Sequence, residues 1–204
     1  IMREIAKLVL VLGLICGISA GSLSTVRTYL ADRIEQQNDL FVRGPALELL
    51  LQQPAQDILA NKLIIDSPEG QALLFYIMDT GRVSGLAIET VGKGGYGGDI
   101  SLMLGVNMES NQLLGLEIIK HQETPGIGAQ IEKTTFRNQW RKLSTRDPVR
   151  LIAAGGTIDG ISGATYSTNA VMDGTQKAIS AFNNSKDQIS ELIQQANSAD
   201  QQIE

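Results

Sequence analysis

Leu73-Leu74-Phe75-Tyr76-Ile77-Met78, then Asp79-Thr80-Gly81-Arg82, then Val83-Ser84-Gly85-Leu86-Ala87-Ile88-Glu89-Thr90, is the stretch on which the fold turns. Two apolar, β-branched and aromatic runs flank a four-residue joint rich in turn formers, which predicts a β-hairpin. Downstream, Ile100 to Met108 and Leu113 to Lys120 flank Glu109-Ser110-Asn111-Gln112 and predict a second hairpin. Between the hairpins lies Gly92-Lys93-Gly94-Gly95-Tyr96-Gly97-Gly98, too rich in glycine for a regular element. From Gln130 to Leu143, Phe136, Trp140 and Leu143 fall on one helical face. Val149 to Ala153 predicts one more strand. A helix beginning near Ser167 or Thr168, either of which can cap it, carries Val171, Thr175, Ala178 and Phe182 inward. A final amphipathic helix is expected over Asp187 to Ala196. Hairpins followed by helices define an α+β domain with an antiparallel sheet.

Upstream, Leu8 to Val26 is nineteen residues without a charge. As a helix it spans about 28 Å, the thickness of a bilayer's hydrocarbon core. Arg3 and Lys7 precede the run and Arg27 and Arg33 follow it, which mildly favours an N-terminus inside and a domain outside. A cleaved signal peptide ending at Ser19-Ala20-Gly21 is the competing reading; the expectation is an uncleaved anchor. Gly13, Gly17 and Gly21 recur every four residues, a stripe that lets a neighbouring membrane helix approach closely. Asp32 to Asn38 is read as a polar continuation of this helix, and Pro45 as the start of a short helix through Leu51. The expected organisation is a transmembrane anchor over 1–28, a helical connector over 29–66, a globular domain over 67–185 and a C-terminal helix and tail over 186–204.

Composition narrows the function. A net charge of -5 over 204 residues argues against a nucleic-acid binder. The single cysteine, Cys16, lies in the apolar run, and the single histidine is His121, so neither an intrachain disulfide nor a two-histidine zinc site can be built.

Three segments carry chemistry. Asp159-Gly160-Ile161-Ser162-Gly163-Ala164-Thr165-Tyr166-Ser167 is a loop of small residues entering a helix, where free amides and the helix dipole favour an anion. Ser162, Thr165, Ser167 and Thr168 add hydroxyls, so the segment reads as a phosphate site or an ordinary helix cap. His121-Gln122-Glu123-Thr124-Pro125-Gly126-Ile127-Gly128 follows a strand and contains a Pro-Gly turn. There His121 is a proton carrier or a turn residue, and Glu123 and Thr124 are candidates to bond a polar heterocycle. Tyr96, within Gly95-Tyr96-Gly97-Gly98, is placed to pack on a planar ring. A hydrolase using Ser162 or Thr165 with His121 is disfavoured, because Gly160-Ile161-Ser162-Gly163-Ala164 lacks the second glycine of a nucleophile elbow. A scaffold without redox chemistry is the remaining alternative.

Taken in order, Gly-Tyr-Gly-Gly, His-x-Glu-Thr-Pro-Gly-x-Gly and Asp-x-x-Ser-Gly-Ala-Thr, behind one apolar helix, resemble the covalent-FMN domain shared by the Rnf G subunit and the Nqr C subunit. Ile127 stands where that family usually has leucine. The resemblance implies FMN esterified through its phosphate to Thr165 by a separate flavin transferase. It implies cofactor contacts from Asp159, Ser162, Gly163, Ala164, Ser167, Thr168, His121, Glu123, Thr124, Pro125, Gly126, Ile127, Gly128, Tyr96, Gly97 and Gly98. It also implies an electron relay in a bacterial inner-membrane, ion-translocating ferredoxin:NAD oxidoreductase, with the flavin on the extracytoplasmic side and integral membrane subunits as partners. Of the two relatives, the shorter Rnf G subunit suits the length of this chain better; the Nqr C subunit, from the sodium-pumping NADH:quinone oxidoreductase, is the alternative.

Overall fold

The computed structural model describes residues 2–67 and 70–200. The chain forms two compact units, Ile1–Phe41 and Val42–Glu204. The first is helix α1, Met2–Asn38, which buries none of its side chains within the unit. Among the described residues it supplies the one helix long and apolar enough to cross a membrane, with a mean hydropathy of 2.0 over its most apolar window. Its polar continuation through Asn38 matches the sequence reading, and a wider π-helical turn, Asp39–Arg43, follows.

The second unit is built on one five-stranded antiparallel meander, β1 (Lys62–Ser67), β2 (Gly70–Asp79), β3 (Arg82–Gly92), β4 (Ile100–Asn107) and β5 (Leu113–Lys120), paired in chain order. The β2–β3 joint is as tight as its sequence demands. Asp79 pairs with Arg82, and both central residues have positive φ, Thr80 at 49° and Gly81 at 79°. That is the hairpin turn whose twist matches its strands. At the β4–β5 joint the side chain of Asn107 does the turning. Its Oδ1 accepts the amides of Glu109 at 3.0 Å and Ser110 at 2.8 Å.

Alternation along the strands gives the sheet two apolar faces. Leu74, Tyr76, Leu86, Ile88, Leu102, Leu104 and Val106 point to one face, where they meet Val171, Ala178 and Phe182 of the long helix α5 (Thr165–Asp200). Phe75, Ala87 and Met103 point to the other, against Ala46, Leu47, Leu50 and Leu51 of helix α2 (Gly44–Leu51) and Ile58 of helix α3 (Ala55–Leu59). Helix α5 crosses β3 at near-backbone contact. A Cβ on Gly92 would lie within 1.9 Å of the Ala170 carbonyl oxygen, and one on Gly174 would meet Leu102 at 2.6 Å. Thr90 Oγ1 donates to Gly174 O at 2.9 Å across the same crossing. This contact fixes where the first turn of α5 arrives relative to the end of β3.

Four expectations change. Strand β1 lies inside the stretch read as a helical connector. It is an edge strand with only Ile65 fully buried and Ile64 exposed, so it carries no clean alternation. The helix expected over Gln130 to Leu143 is three short turns, Gly128–Glu132, α4 (Thr134–Arg137) and Asn138–Trp140. Lys133 (ψ 135°) and Arg141 (ψ 131°) are extended and interrupt it. Its apolar spacing is nonetheless used, since Phe136 and Trp140 are buried edge to face at 5.1 Å. The strand expected over Val149 to Ala153 reduces to one bridge, Leu151 to Ile158. Gly155, at φ 77°, and Gly156 fold the chain back on Arg150 instead. The two C-terminal helices are one, with α5 running unbroken through Asp187 to Ala196. Residues 201–204 of the expected tail lie outside the described residues.

Candidate functional site

The ends of β3 and β5 and the start of β4 lie at one edge of the sheet, since Gly92 pairs with Ile100 and Ser101 with Lys120. The glycine loop after β3 and the turn after β5 therefore emerge side by side, and α5 brings its first turn to the same edge. Between them is a cleft of about 290 Å³ lined by Tyr96, Glu123, Thr124, Ile127, Gly128, Gly163, Ala164, Thr165, Tyr166 and Ser167.

Glu123 organises this cleft. Its side chain is buried, at 5 % exposure. Oε1 accepts the Gly97 amide at 3.0 Å, and Oε2 accepts the Ser167 hydroxyl at 2.6 Å. One carboxylate thus ties the glycine loop, its own turn and α5 together. Hydrogen bonds to a charged acceptor contribute about 1.5–3 kcal/mol each. The glycines of the motifs are the space around this group. A Cβ on Gly128 would lie 2.4 Å from Oε2 and 2.7 Å from Ser167 Oγ, and one on Gly95 would lie 2.6 Å from Oε1. On Gly97 it would strike the Gln122 carbonyl oxygen at 1.9 Å.

The turn after β5 is held by its own backbone, with Ile127 and Ala129 donating to Thr124 O at 3.2 and 3.1 Å and Gly126 at φ 78°. The loop before α5 is equally constrained. Gln139 brackets Asp159, accepting its amide at 2.7 Å and donating to its carbonyl at 3.1 Å. Thr168 Oγ1 accepts the Ile161 amide at 3.2 Å and donates to Ala164 O at 2.9 Å. Helix α5 begins at Thr165, two to three residues before the expected cap. Thr168 bonds backward from inside the helix, so neither it nor Ser167 is the cap. The amides of Thr165, Tyr166 and Ser167 open the helix without intrahelical acceptors, and the Thr165 side chain stands exposed among them.

Of the residues singled out from sequence, Tyr96, Glu123, Thr124, Ile127, Gly128, Gly163, Ala164, Thr165 and Ser167 share the cleft. Asp159, Ser162, Thr168, Pro125, Gly126, Gly97 and Gly98 do not line it; Thr168 and Gly97 support it through the bonds above. His121 faces a separate hollow with Gly97, Gly98, Asp99, Ser101, Lys120 and Gln122. Its Nδ1 accepts the Glu123 amide at 3.0 Å, and Nε2 meets Glu132 Oε1 at 2.9 Å. Both ring nitrogens are therefore occupied away from Thr165, which removes the base a Thr165-centred hydrolase would need. The sequence reading missed two residues. Tyr166 lines the cleft from within the quoted motif. Gln139 acts from twenty residues upstream, and no local pattern signals that contact.

The glycine loop is fastened at its start by Asp173 of α5, whose Oδ2 accepts the Lys93 amide at 2.8 Å and Lys177 Nζ at 2.6 Å. Burial by itself would raise the Asp173 carboxyl. The Lys177 and Lys93 hydrogen bonds and both positive charges outweigh it and hold the group below the ordinary carboxylate range.

The class these features define is an FMN-binding domain carried behind one apolar helix, and residues 95–180 match the family model described as the FMN-binding domain. The G subunit of the ion-translocating oxidoreductase complex of Haemophilus influenzae (strain Rd) is 32 % identical over 153 residues, 69 % of this chain and 73 % of that protein. The protein of the same description from Methanosarcina acetivorans is 29 % identical over 184 residues, covering 87 % and 94 %. The chain belongs to this G-subunit family. Two solved structures share the fold. The C subunit of the Na(+)-translocating NADH-quinone reductase from Parabacteroides distasonis superposes with a TM-score of 0.55 at 18 % identity, over 74 % of this chain and 94 % of that one. NqrC of Shewanella oneidensis gives 0.56 at 21 %, over 73 % and 95 %.

The depressed Asp173 carboxyl predicts acid sensitivity at the glycine loop. Its contribution is complete above the unfolded carboxyl's pKa of about 4 and is lost as pH falls through the lower folded value. Asp173 is 40 % exposed, so Asp173→Asn is expected to cost below about 1 kcal/mol near neutral pH. In denaturant unfolding of the solubilised chain, the gap between variant and wild type should close below about pH 4. A gap that stays constant would refute this.

Proposed function

We propose that this chain is an electron-carrying flavoprotein subunit of an ion-translocating oxidoreductase complex, with one FMN esterified to Thr165. The observation that carries the reading is Thr165 itself, an exposed hydroxyl on the first turn of α5 that lines the cleft. The cleft suits the group. The α5 amides and dipole favour a phosphate beside Thr165. Tyr96 and Ile127 offer apolar surface to a planar ring, and the Thr124–Gly128 turn offers backbone polar groups to its edge. Pro125 and Gly126 shape that turn, and Asp159, Ser162, Gly97 and Gly98 lie in the loops that border the site.

In the attachment step the Thr165 hydroxyl would be the nucleophile toward the flavin-side phosphorus of FAD as substrate, the P–O bond to Thr165 forming as the pyrophosphate P–O bond breaks, with AMP leaving and the hydroxyl proton passing to solvent. A separate flavin transferase performs it. FMN supplies the acceptance and release of one or two electrons. Thr165 would hold the phosphate, and Tyr96, Ile127 and the Thr124–Gly128 turn would supply the ring's surroundings. Helix α1 is the membrane anchor, with the domain on the extracytoplasmic side, where a tether prevents loss of a cofactor that is not readily replaced. The resemblance of the three motifs to the Rnf G subunit supports membership of a ferredoxin:NAD oxidoreductase. The likeness to the Nqr C subunit keeps the sodium-pumping quinone reductase as the second reading.

Thr165→Ala should abolish flavin fluorescence in the denatured protein on a gel while the domain stays folded; fluorescence that persists would refute the attachment site. Among the described residues of the α1 unit, nothing lies within 4 Å of where a Cβ on Gly13, Gly17 or Gly21 would stand, so a neighbouring membrane subunit has room to pack there. Gly17→Leu should reduce co-purification of the membrane partners relative to a Leu12→Ile control, with flavin retained. Equal recovery would rule out that packing face.

A further inference from the structure

Glu123 is the one charged side chain lining the Thr165 cleft. Both of its hydrogen-bond donors, the Gly97 amide and the Ser167 hydroxyl, are neutral. Among the described residues its charge has no basic partner: Lys93 pairs with Asp99, Lys177 with Asp173, Arg137 with Glu117 and Arg43 with Glu89. A buried and unpaired carboxylate is expensive, yet the clamp does not require the charge. A glutamine of the same length would accept the Gly97 amide through its carbonyl, and the Ser167 hydroxyl would turn to accept its NH2. The fold thus explains the hydrogen bonds of Glu123 and leaves its charge unexplained.

We propose that the Glu123 charge lowers the reduction potential of the flavin held in this cleft. The inference rests on the FMN reading above. Two-electron reduction with uptake of one proton leaves the ring with one more negative charge than it had. A fixed carboxylate beside it opposes that charge. A lower potential makes the protein a stronger donor to the next carrier. Glu123 in this role is a positioning and tuning residue, since it acts on the ring's equilibrium and takes no part in bond making.

The test is a spectroelectrochemical titration of the full-length, detergent-solubilised, FMN-loaded protein at pH 8, with dithionite as the electron source and water as the proton source. Glu123→Gln should raise the midpoint potential by at least the equivalent of a tenfold change in the two-electron equilibrium, about 30 mV. Ser167→Ala removes a neutral donor that partly balances the carboxylate, so it should lower the potential. General loosening of the cleft would move both variants in one direction. An unchanged potential in Glu123→Gln, or a shift of the same sign in both variants, overturns the proposal. Should Glu123→Gln fail to fold, Ser167→Ala decides alone: a fall supports the role of the charge and the absence of a fall overturns it. A wild-type protein that carries no flavin overturns the FMN reading and this inference with it.

Discussion

The Glu123 carboxylate joins Gly97, 26 residues before it, to Ser167, 44 residues after it; the Ser167 bond is buried and the Gly97 bond is half-buried. Removing the carboxylate would leave the buried Ser167 hydroxyl without its acceptor, at about 1–3 kcal/mol. The geometry of the cleft follows from this one group. Gly95, Gly97 and Gly128 lack side chains because the carboxylate or the neighbouring backbone fills the space a Cβ would take. Ser167 faces inward because its hydroxyl reaches Glu123, and its turn of helix consequently sets Thr165 and Tyr166 outward. A motif that looks like a set of separate loops in the sequence is a single packing problem in space.

Two further contacts make the clamp meaningful. The Gly92–Ala170 and Gly174–Leu102 approaches seat α5 on the sheet before its N-terminus reaches the cleft. Gln139 and Thr168 fix the loop from Asp159 to Ala164. The Thr165 hydroxyl is thereby carried on a rigid base while remaining exposed. A tethered redox cofactor needs this combination: an attachment point open to a modifying enzyme and a ring site whose surroundings do not change between turnovers.

Much of this was legible in the residues. Both central hairpins were readable because Asp79-Thr80-Gly81-Arg82 and Glu109-Ser110-Asn111-Gln112 are turn chemistry placed between apolar runs; the part played by the Asn107 side chain was not. Thr165 was singled out because three motifs occur in order, and the structure sets it, exposed, at the cleft those motifs form. Strand β1 was not, since an edge strand with one buried residue lacks the alternation that marks a half-buried strand. The short turns from Gly128 to Trp140 share a helix's spacing, and only the backbone angles at Lys133 and Arg141 distinguish them. Glu123 was singled out as a cofactor contact, but its role as a clamp depends on pairings across 26 and 44 residues that no local pattern encodes. His121 belongs to the same motif yet turns to Glu132, because its Nδ1 is needed by the Glu123 amide.

The central claim is the phosphoester on Thr165. Trypsin cuts after Arg150 and after Lys177 and releases Leu151 to Lys177 as one peptide holding every hydroxyl of the loop and of the first turns of α5. Tandem mass spectrometry of this peptide from membrane-purified protein should show an added mass equal to FMN less one water, with the fragment series stepping by that mass at Thr165. An unmodified peptide, or the same mass on Ser162, Ser167 or Thr168, would contradict the account.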